Sequence, residues 1–470
     1  MLTLNLLVAL AVTVLPAWVW LERLVPKGTT CRRLLIAGYA LLLGMIGITL
    51  VMRLLSALAI PFSLVSIGSL AALVCLAGLF APAGWRAPAA ALPPVQTAAP
   101  PMTGAQRVII GICLALLAGR LIALGIEVGS RPLFAWDAKQ HWTKQARVFF
   151  EMRSIVPYVS LQEWLAVDGQ GVYTNMHPDY PITTPLLQTW VNVALGQWHD
   201  SLMNLPWLLI WISLGLIFYA QARSAAIGPA ISIAATYMVL SLPYLNVHVA
   251  LAGYADLLLA LCFLAALAAF YNWSRSRNPW QGAFCIACAL SCLLIKNEGF
   301  YWLASLLPGL LLAGLGLKRG LVVSAALLLC LGLVIGLMPQ DWAIAGHSLQ
   351  ELSLGYRPEA WRPIYQSFLQ HDNWHFLGYL FFVAMLLLMW RVRQFGSDLA
   401  PVTAVVLSAL ALCLCLFLFT HYATGAVRLT SLNRVCLQLM PAVAFLTLLV
   451  YAKVAMAASG SQPGPAVPAG

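Results

Sequence analysis

Residues 254–272, YADLLLALCFLAALAAFYN, form a continuous apolar run with one charged residue, Asp256, near its beginning. A helix of this length crosses the hydrocarbon core of a bilayer, which is about 30 Å thick. Similar runs recur along the whole chain, which is 62% hydrophobic, 9% charged and has a mean hydropathy of +0.87. A soluble chain carries roughly 25% charged residues. The sequence therefore predicts an all-α, polytopic helical membrane protein, and runs that are continuous rather than alternating exclude a β-barrel.

The apolar runs divide into about 13 predicted spans. The first run has no basic n-region and no clear cleavage site, so we predict a retained span rather than a signal peptide. Residues 33–82 are too long for one crossing and are interpreted as two. The predicted spans are 1–21, 34–52, 61–82, 107–127, 203–221, 226–246, 254–272, 281–296, 300–317, 320–338, 376–391, 399–420 and 434–452.

The orientation follows from the basic residues in the short connections, which all fall on one side of the predicted spans. They are Arg23, Lys27, Arg32, Arg33, Arg86, Arg107, Arg223, Arg275, Arg277, Lys318, Arg319, Arg391, Arg393 and Lys453. Under the positive-inside rule this side is cytoplasmic, which places the N-terminus outside and the C-terminus inside. Of the 15 acidic residues, only Glu22 and Asp398 then fall inside. We therefore predict a multi-pass protein of the bacterial cytoplasmic membrane whose polar groups face the exterior.

Two larger extracytoplasmic loops follow from this topology, at residues 128–202 and 339–375. The first begins with RPLFAWDAKQHWTKQARVFFEMR, residues 131–153, in which aromatic side chains alternate with charges. This pattern is typical of a helix that lies in the membrane interface. Its predicted interfacial aromatic residues are Trp136, Trp142, Phe149 and Phe150.

The chain is predicted to have an N-terminal group of spans, residues 1–106, and a main transmembrane module, residues 107–455. Residues 82–104 are rich in Pro and Ala and are predicted to be a cytoplasmic linker. Residues 456–470 are predicted to be a disordered tail.

The net charge of +11 does not indicate a nucleic-acid partner, because membrane proteins place Lys and Arg for topology and no dense basic run occurs here. Cys285, Cys288 and Cys292 share one helical face, which leaves a metal site open. We favour packing as small apolar residues, since buried free cysteines behave in this way.

Five polar stretches lie at the outer ends of predicted spans, although a charge at membrane depth costs roughly 2.5–3.5 kcal/mol. They are WDAK at 136–139, HPDYP at 177–181, GYAD at 253–256, KNEG at 296–299 and HYATGAVRLTSLNRVCLQLMP at 421–441. Each alone is explained by topology, for example by Lys296 reaching the interface and pairing with Glu298. All five on one face favour a shared cavity lined with carboxylates and cations.

Such a cavity suits chemistry at a lipid phosphate. Arg and Lys stabilise the charge that grows on a leaving phosphate, and a carboxylate can take the proton of an attacking hydroxyl. The sequence defines no cofactor, and a divalent metal ion held by carboxylates is one option. His177 and Asp179 offer donor atoms for it, but two residues at this spacing are a weak metal signal. His177 equally suits a turn cap or a substrate contact.

The stretches WDAKQHWTKQARVFF, HPDYPITTPLLQ, GYADLLLA, KNEG and NRVCLQLMP resemble patterns of the GT-C superfamily of polyprenyl-phosphate-sugar glycosyltransferases. The likeness covers roughly residues 128–442 and is similar to the bacterial branch related to protein O-mannosyltransferases and to lipid A aminoarabinose transferases. It implies a GT-C-like catalytic module and a polyprenyl-phosphate-linked sugar as donor. The acceptor would be a glycan, a lipid or a protein, beside the surrounding membrane lipids.

The resemblance also implies roles for individual residues. Asp137 matches the acidic residue of the first loop that acts as catalytic base or binds the acceptor. Relatives often carry an adjacent acidic pair there, whereas this chain has Ala138, which raises Asp179 as a substitute. The predicted donor-phosphate ligands are Lys296, Arg434 and Arg428. The other predicted substrate-binding residues are His177, Tyr180, Asp256, Glu298 and Lys139.

Two other functions remain open from the sequence. A polysaccharide polymerase or ligase using a diphosphate-linked glycan also needs cationic outer loops, but it is expected to use Arg and His more than carboxylates. A lipid or glycan transporter is expected to have charges near the bilayer midplane and repeated halves. The one-sided charges and the long outer loops favour the glycosyltransferase.

Overall fold

The computed structural model describes residues 2–81, 102–339, 341–344 and 347–458. Four helices precede the first large loop. They are α1 (Leu2–Leu24), α2 (Arg32–Ala57), α3 (Leu64–Phe80) and α4 (Gly104–Ser130). Capping boxes begin α3 at Ser63 and α4 at Thr103, each satisfying backbone N–H groups that a helix start leaves open. Residues 82–101 of the predicted linker lie outside the described residues.

The first loop, residues 131–201, folds back into the protein. A π-helical turn (Ala138–Thr143) runs directly into α5 (Lys144–Met152), and α6 (Leu161–Ala166) lies between the two short parallel strands β1 (Tyr158–Val159) and β2 (Tyr173–Thr174). The loop ends with α7 (Thr183–Leu195), in which every residue is buried. The hydropathy pattern does not predict α7.

The prediction of a helix that lies in the membrane interface is partly wrong. Trp136 is exposed, but Trp142, Phe149 and Phe150 are buried in the protein core. The apolar face of α5 packs on α7 rather than on lipid. The reason is that α7 presents a protein surface to that face, which an amphipathic pattern alone does not distinguish from a lipid surface.

Seven helices follow the first loop. They are α8 (Leu205–Ser224), α9 (Pro229–Leu240), α10 (Pro243–Ala250), α11 (Asp256–Ser276), α12 (Pro279–Leu293), α13 (Gly299–Leu315) and α14 (Leu317–Leu337). Pro229, Pro243 and Pro279 each stand in the first turn of their helix, where proline needs no hydrogen-bonded N–H. The axes of α9 and α10 differ by 60°.

The second loop contains the antiparallel strands β3 (Ala343–Ile344) and β4 (His347–Ser348) and two short helices, α15 (Leu349–Leu352) and α16 (Trp361–Tyr365). The last four helices are α17 (Leu377–Trp390), α18 (Val392–Phe419), α19 (Ala423–Val427) and α20 (Leu432–Ala458). The predicted tail therefore begins inside α20, and residues 459–470 lie outside the described part.

Eight of the described helical segments are long and apolar enough to cross a membrane, and the bent pair α9–α10 raises the number to nine. Four shorter apolar helices, α3, α12, α13 and α17, coincide with the remaining predicted spans. Helices α1, α4 and α14 bury little of their apolar surface within the protein, as expected of helices that face lipid. The chain is an all-α, multi-pass membrane protein, and the count of 13 crossings stays a prediction.

Helices α11 and α20 form the centre of the bundle and are almost wholly buried. A polar network fixes α11 to its neighbours. Gln221 of α8 and Gln281 of α12 exchange hydrogen bonds of 3.0 and 3.1 Å, and Asn272 of α11 donates to Gln221 at 2.8 Å. Polar side chains that are satisfied across helices hold an apolar bundle in register. Cys285, Cys288 and Cys292 of α12 are buried in the same core.

Candidate functional site

Five charged residues from four of the predicted stretches meet where α11, α13 and α20 begin. We call Asp137, Asp256, Lys296, Glu298 and Arg434 the charged cluster. Asp256 opens α11, Lys296 and Glu298 lie in the turn between α12 and α13, and Arg434 lies in the first turn of α20. Asp137 reaches the cluster from the first loop.

Lys296 lies at the centre of the charged cluster, between two carboxylates. Its Nζ is 3.0 Å from Asp256 Oδ1 and 2.6 Å from Glu298 Oε1. Burial lowers the pKa of Lys296, but the carboxylates of Asp256 and Glu298 raise it more, so the net shift is upward. Lys296 is therefore a cation throughout the physiological pH range.

Asp256 is buried, with only 1% of its surface exposed, and a second donor holds it in place. Gln438 Nε2 donates to Asp256 Oδ1 at 2.6 Å. The other end of the same amide, Gln438 Oε1, accepts a 2.7 Å hydrogen bond from Trp302 Nε1. This chain orients the Asp256 carboxylate toward Lys296 and supplies the hydrogen bonds that a buried charge requires.

Arg434 links the first loop to α20. Its Nη1 donates to Asp137 Oδ2, and its guanidinium lies over the ring of Tyr254, 5.4 Å from the ring centre. Arg434 Nε is buried and has no hydrogen-bond partner within the described chain. Asp137 begins the π-helical turn without using its side chain as a cap, which leaves the carboxylate available for Arg434.

The turn before α11 requires a glycine and packs on the residue that follows Asp137. Gly253 has a φ of +105°, and a Cβ built on it would lie 2.7 Å from the Cβ of Ala138. Ala138 itself is fully buried. A larger side chain at position 138 would meet the backbone of Gly253, so the site has no room for a second carboxylate beside Asp137.

A cleft of about 80 Å³ opens beside the charged cluster. Its polar lining includes Lys296, Glu298 and Arg434, while Leu416 and Phe417 of α18 form an apolar wall. Ser431 also lines the cleft, and its buried Oγ has no partner in the part of the chain that the structure describes. The remaining lining residues are Tyr180, Asn297, Tyr301, Tyr422 and Val435.

The HPDYP stretch docks on the turn between α12 and α13. Asn297 Nδ2 donates to Asp179 Oδ2 at 2.8 Å. Tyr180 is stacked between Trp142, at 5.3 Å, and His177, at 4.7 Å between ring centres. Burial raises the pKa of Tyr180 to about 12, and the charge of Lys296 opposes this rise. The stretch thus forms one wall of the cleft through Tyr180.

The structure does not bring all predicted site residues to the cleft. Lys139 and Arg428 are exposed and are not among its lining residues. Asp179 is exposed and contacts the cleft only through Asn297, and Asp256 lies behind Lys296. Asp137 reaches the cleft through Arg434. Of the four carboxylates that the sequence analysis singled out, Glu298 alone lines the cleft.

Sequence reasoning missed Gln438, Ser431, Asn297 and Trp302. Gln438 carried a usable signal, because it is a polar residue in an apolar helix, four positions after Arg434 and so on the same face. Ser431, Asn297 and Trp302 lie in or next to quoted stretches but have no property that separates them from turn and core residues. Their roles depend on which helices are neighbours.

The described residues contain no group of three or more His, Cys, Asp or Glu side chains that could hold a metal ion. Two carboxylates near the cleft, Asp137 and Glu298, are each paired with a cation, and His177 stacks on Tyr180. These residues do not fit a preformed metal site.

Comparison with models of known protein families, with curated proteins and with solved structures gave no match to this chain. The resemblance to the GT-C superfamily therefore rests on the quoted stretches alone.

Proposed function

We propose that this protein is a membrane glycosyltransferase of GT-C type. It would transfer a sugar from a polyprenyl-phosphate donor to a hydroxyl of a lipid-, polymer- or protein-borne acceptor. The single observation that carries this proposal is the set of side chains with hydrogen-bond donors that line the cleft. Lys296 Nζ, Arg434 Nε and Ser431 Oγ all belong to residues that line it, and the last two have no partner within the described residues.

Donors of this kind suit a phosphate. A lysine has three N–H groups, of which two are directed at Asp256 and Glu298 here, so one remains for a ligand. Guanidinium and ammonium groups bind phosphate oxygens strongly and stabilise negative charge that develops on them. The buried Arg434 Nε has no partner within the described residues, which costs free energy, and it would gain a hydrogen bond if the guanidinium turned toward an anion in the cleft.

The apolar wall favours a lipid-linked phosphate over a soluble one. Leu416 and Phe417 belong to α18, and Val435 belongs to α20. Both helices are long and apolar enough to span a membrane. A ligand whose head binds Lys296 and Arg434 would extend its hydrocarbon part along these helices, where burying each CH₂ group contributes about 0.8 kcal/mol.

The proposed topology of the protein has 13 spans. It places the cleft on the extracytoplasmic face of the bacterial cytoplasmic membrane. Its support is the distribution of basic residues among the short connections. The four short apolar helices must then cross the membrane, although each is shorter than an ordinary span. A polyprenyl-phosphate sugar on the outer leaflet would reach the cleft from the lipid side.

The two cations of the charged cluster, Lys296 and Arg434, are already paired with three carboxylates. A diphosphate carries more negative charge than a single phosphate, so the cluster favours the single phosphate. This charge balance weighs against the polymerase or ligase. The transporter keeps one specific observation in its favour, the 60° break between α9 and α10, since transporters use broken helices at their binding sites. However, the charged cluster lies where α11, α13 and α20 begin rather than at this break.

The reaction would be a single displacement. The acceptor oxygen bonds to the anomeric carbon while the bond from that carbon to the phosphate oxygen breaks. The leaving polyprenyl phosphate takes the electron pair, and Arg434 and Lys296 stabilise its charge. The hydroxyl proton goes to a carboxylate. The anomeric configuration inverts, and retention in the product would contradict this mechanism.

The test is sugar release by the purified protein from a panel of synthetic polyprenyl-phosphate sugars. We expect turnover by the wild type and a loss of about 100-fold or more in Arg434→Ala, because the donor's leaving charge is no longer stabilised. The matched control is Arg362→Ala, an exposed arginine of α16 outside the cleft. A wild type that releases no sugar across the panel would overturn the proposal.

A further inference from the structure

Four carboxylates compete for the role of proton acceptor in the proposed reaction, and the sequence analysis favoured Asp137 and Asp179. A base must lie within hydrogen-bond reach of the attacking hydroxyl, so access to the cleft comes first. Asp256 is buried behind Lys296, and Asp179 is directed at Asn297. Asp137 reaches the cleft only through Arg434.

Glu298 meets the requirement of access. It lines the cleft, whereas Asp137 does not, although 30% of the Asp137 side chain is exposed. One carboxylate oxygen, Oε1, lies 2.6 Å from Lys296 Nζ, which fixes the orientation of the group. Within the described chain, no other hydrogen bond or ion pair to Glu298 occupies the second oxygen, Oε2.

The charge balance around Lys296 also singles out Glu298. One ammonium group serves two carboxylates, Asp256 and Glu298, so this trio carries one surplus negative charge. A proton that binds Glu298 removes the surplus and leaves the Lys296–Asp256 pair neutral as a whole. Of the two carboxylates, Glu298 is the one that lines the cleft, so a proton from a bound hydroxyl can reach it.

We propose that Glu298 is the catalytic base, which takes the acceptor hydroxyl proton on Oε2. This inference rests on the proposed glycosyltransferase function and assigns one step of it. The acceptor O–H bond breaks, its proton forms an O–H bond with Glu298, and the acceptor oxygen bonds to the anomeric carbon. The carbon–oxygen bond to the phosphate breaks at the same time, and the electron pair leaves with the phosphate. Lys296 remains paired with Asp256 throughout.

The test separates binding from turnover in Glu298→Gln. Glutamine keeps the size of the side chain but cannot accept the proton, and it removes one negative charge from the cleft. We expect turnover to fall at least about 100-fold, as for loss of a general base. We expect farnesyl phosphate, a short prenyl phosphate without sugar, to bind as tightly as in the wild type or more tightly. The matched control is Glu151→Gln, an exposed carboxylate of α5, with both quantities unchanged.

Chemical rescue of the Glu298→Ala variant distinguishes a catalytic role of Glu298 from a structural one. In Glu298→Ala the space of the side chain is open, and added formate can take the proton in its place. We expect formate to restore turnover by about 10-fold or more without changing farnesyl phosphate binding. Turnover in Glu298→Gln above half of the wild-type value would overturn the role of Glu298 alone. Absence of any wild-type turnover would overturn the proposed function, and this inference with it.

Discussion

Lys296 couples the stability of the protein to its site, because it is the cation nearest to a carboxylate that is almost wholly buried. Removing one partner of a buried ion pair leaves the other charge without compensation, which costs about 3–5 kcal/mol. We expect Lys296→Met to lower the free energy of unfolding by that amount, measured by thermal or denaturant unfolding in detergent. A change below about 1 kcal/mol would show that Asp256 is not held as a buried anion.

The double variant Lys296→Met with Asp256→Leu is the control for this prediction. Replacing both partners by apolar residues removes the buried charge together with its cation, so less free energy is lost than in the single variant. The remaining cost comes from Gln438 and Glu298, which also contact the pair. An equal loss in the two variants would mean that packing rather than charge explains the effect.

Tyr180 makes the free energy of unfolding depend on pH in the alkaline range. Burial raises its pKa to about 12 from an ordinary 10.0, so between these values the unfolded chain has lost a proton that the folded protein keeps. The contribution of Tyr180 to stability is therefore complete below pH 10 and falls as the pH rises toward 12, by up to about 2–3 kcal/mol. We expect Tyr180→Phe to flatten this fall in unfolding measured as a function of pH. Tyr365→Phe, at an exposed tyrosine, should leave the fall as steep as in the wild type.

At the scale of elements, the turn between α12 and α13 positions the cations and carboxylates of the cleft. The two helices approach so closely there that a Cβ on Gly299 would lie 2.1 Å from the carbonyl oxygen of Cys292. We expect Gly299→Ala to destabilise the protein by about 1–3 kcal/mol or more, because backbone must move. The shift of Lys296 and Glu298 should also weaken farnesyl phosphate binding.

Gly314→Ala is the matched control in the same helix, since nothing lies within 4 Å of a Cβ at that position. Alanine favours a helix over glycine by roughly 0.5–1 kcal/mol, so this variant should be as stable as the wild type or slightly more so. Unfolding and ligand binding are measured on both variants. Equal unfolding free energies and equal ligand binding in Gly299→Ala and Gly314→Ala would refute the close approach of the two helices at the turn.

Helix α7 explains why the first loop is part of the protein core. Its polar side chains other than Thr184 form hydrogen bonds inside the bundle. Gln188 accepts from Thr143 and donates to Asn204, and Trp190 donates to Thr13 of α1 at 2.9 Å. These bonds cross from the loop to the membrane-spanning helices and fix the wall that carries Tyr180. The rigidity of the cleft therefore depends on an element between two spans.

At the scale of the whole molecule, the predicted orientation is open to chemical labelling. Glu151 lies on α5 in the first loop, and Ser276 lies between Arg275 and Arg277 at the end of α11. We expect a membrane-impermeant maleimide to label Glu151→Cys in intact cells and to label Ser276→Cys only after permeabilisation. Labelling of the wild-type protein in the same experiment measures the background from the native cysteines. The reverse pattern would invert the topology and place the cleft in the cytoplasm.

The class of protein and the positions of its apolar segments were determined by the sequence alone. Hydropathy is a local property, so a run such as 254–272 defines its own helix whatever it packs against. The quoted stretches were also identified correctly as groups that gather in one place. Asp137, Asp256, Lys296, Glu298 and Arg434, all named from the sequence, meet in the charged cluster.

Only the tertiary structure decided which of these residues face the cleft. Arg434 and Asp137 are 297 residues apart in the chain, and Asn297 and Asp179 are 118 apart. No periodicity encodes such a contact, because it depends on how α11, α13 and α20 pack. The same packing buries α7, hides Asp256 behind Lys296 and leaves Glu298 open to a ligand. Whether a side chain is buried or open to a ligand depends on how neighbouring helices pack, whereas the apolar character of each helix depends only on its own sequence.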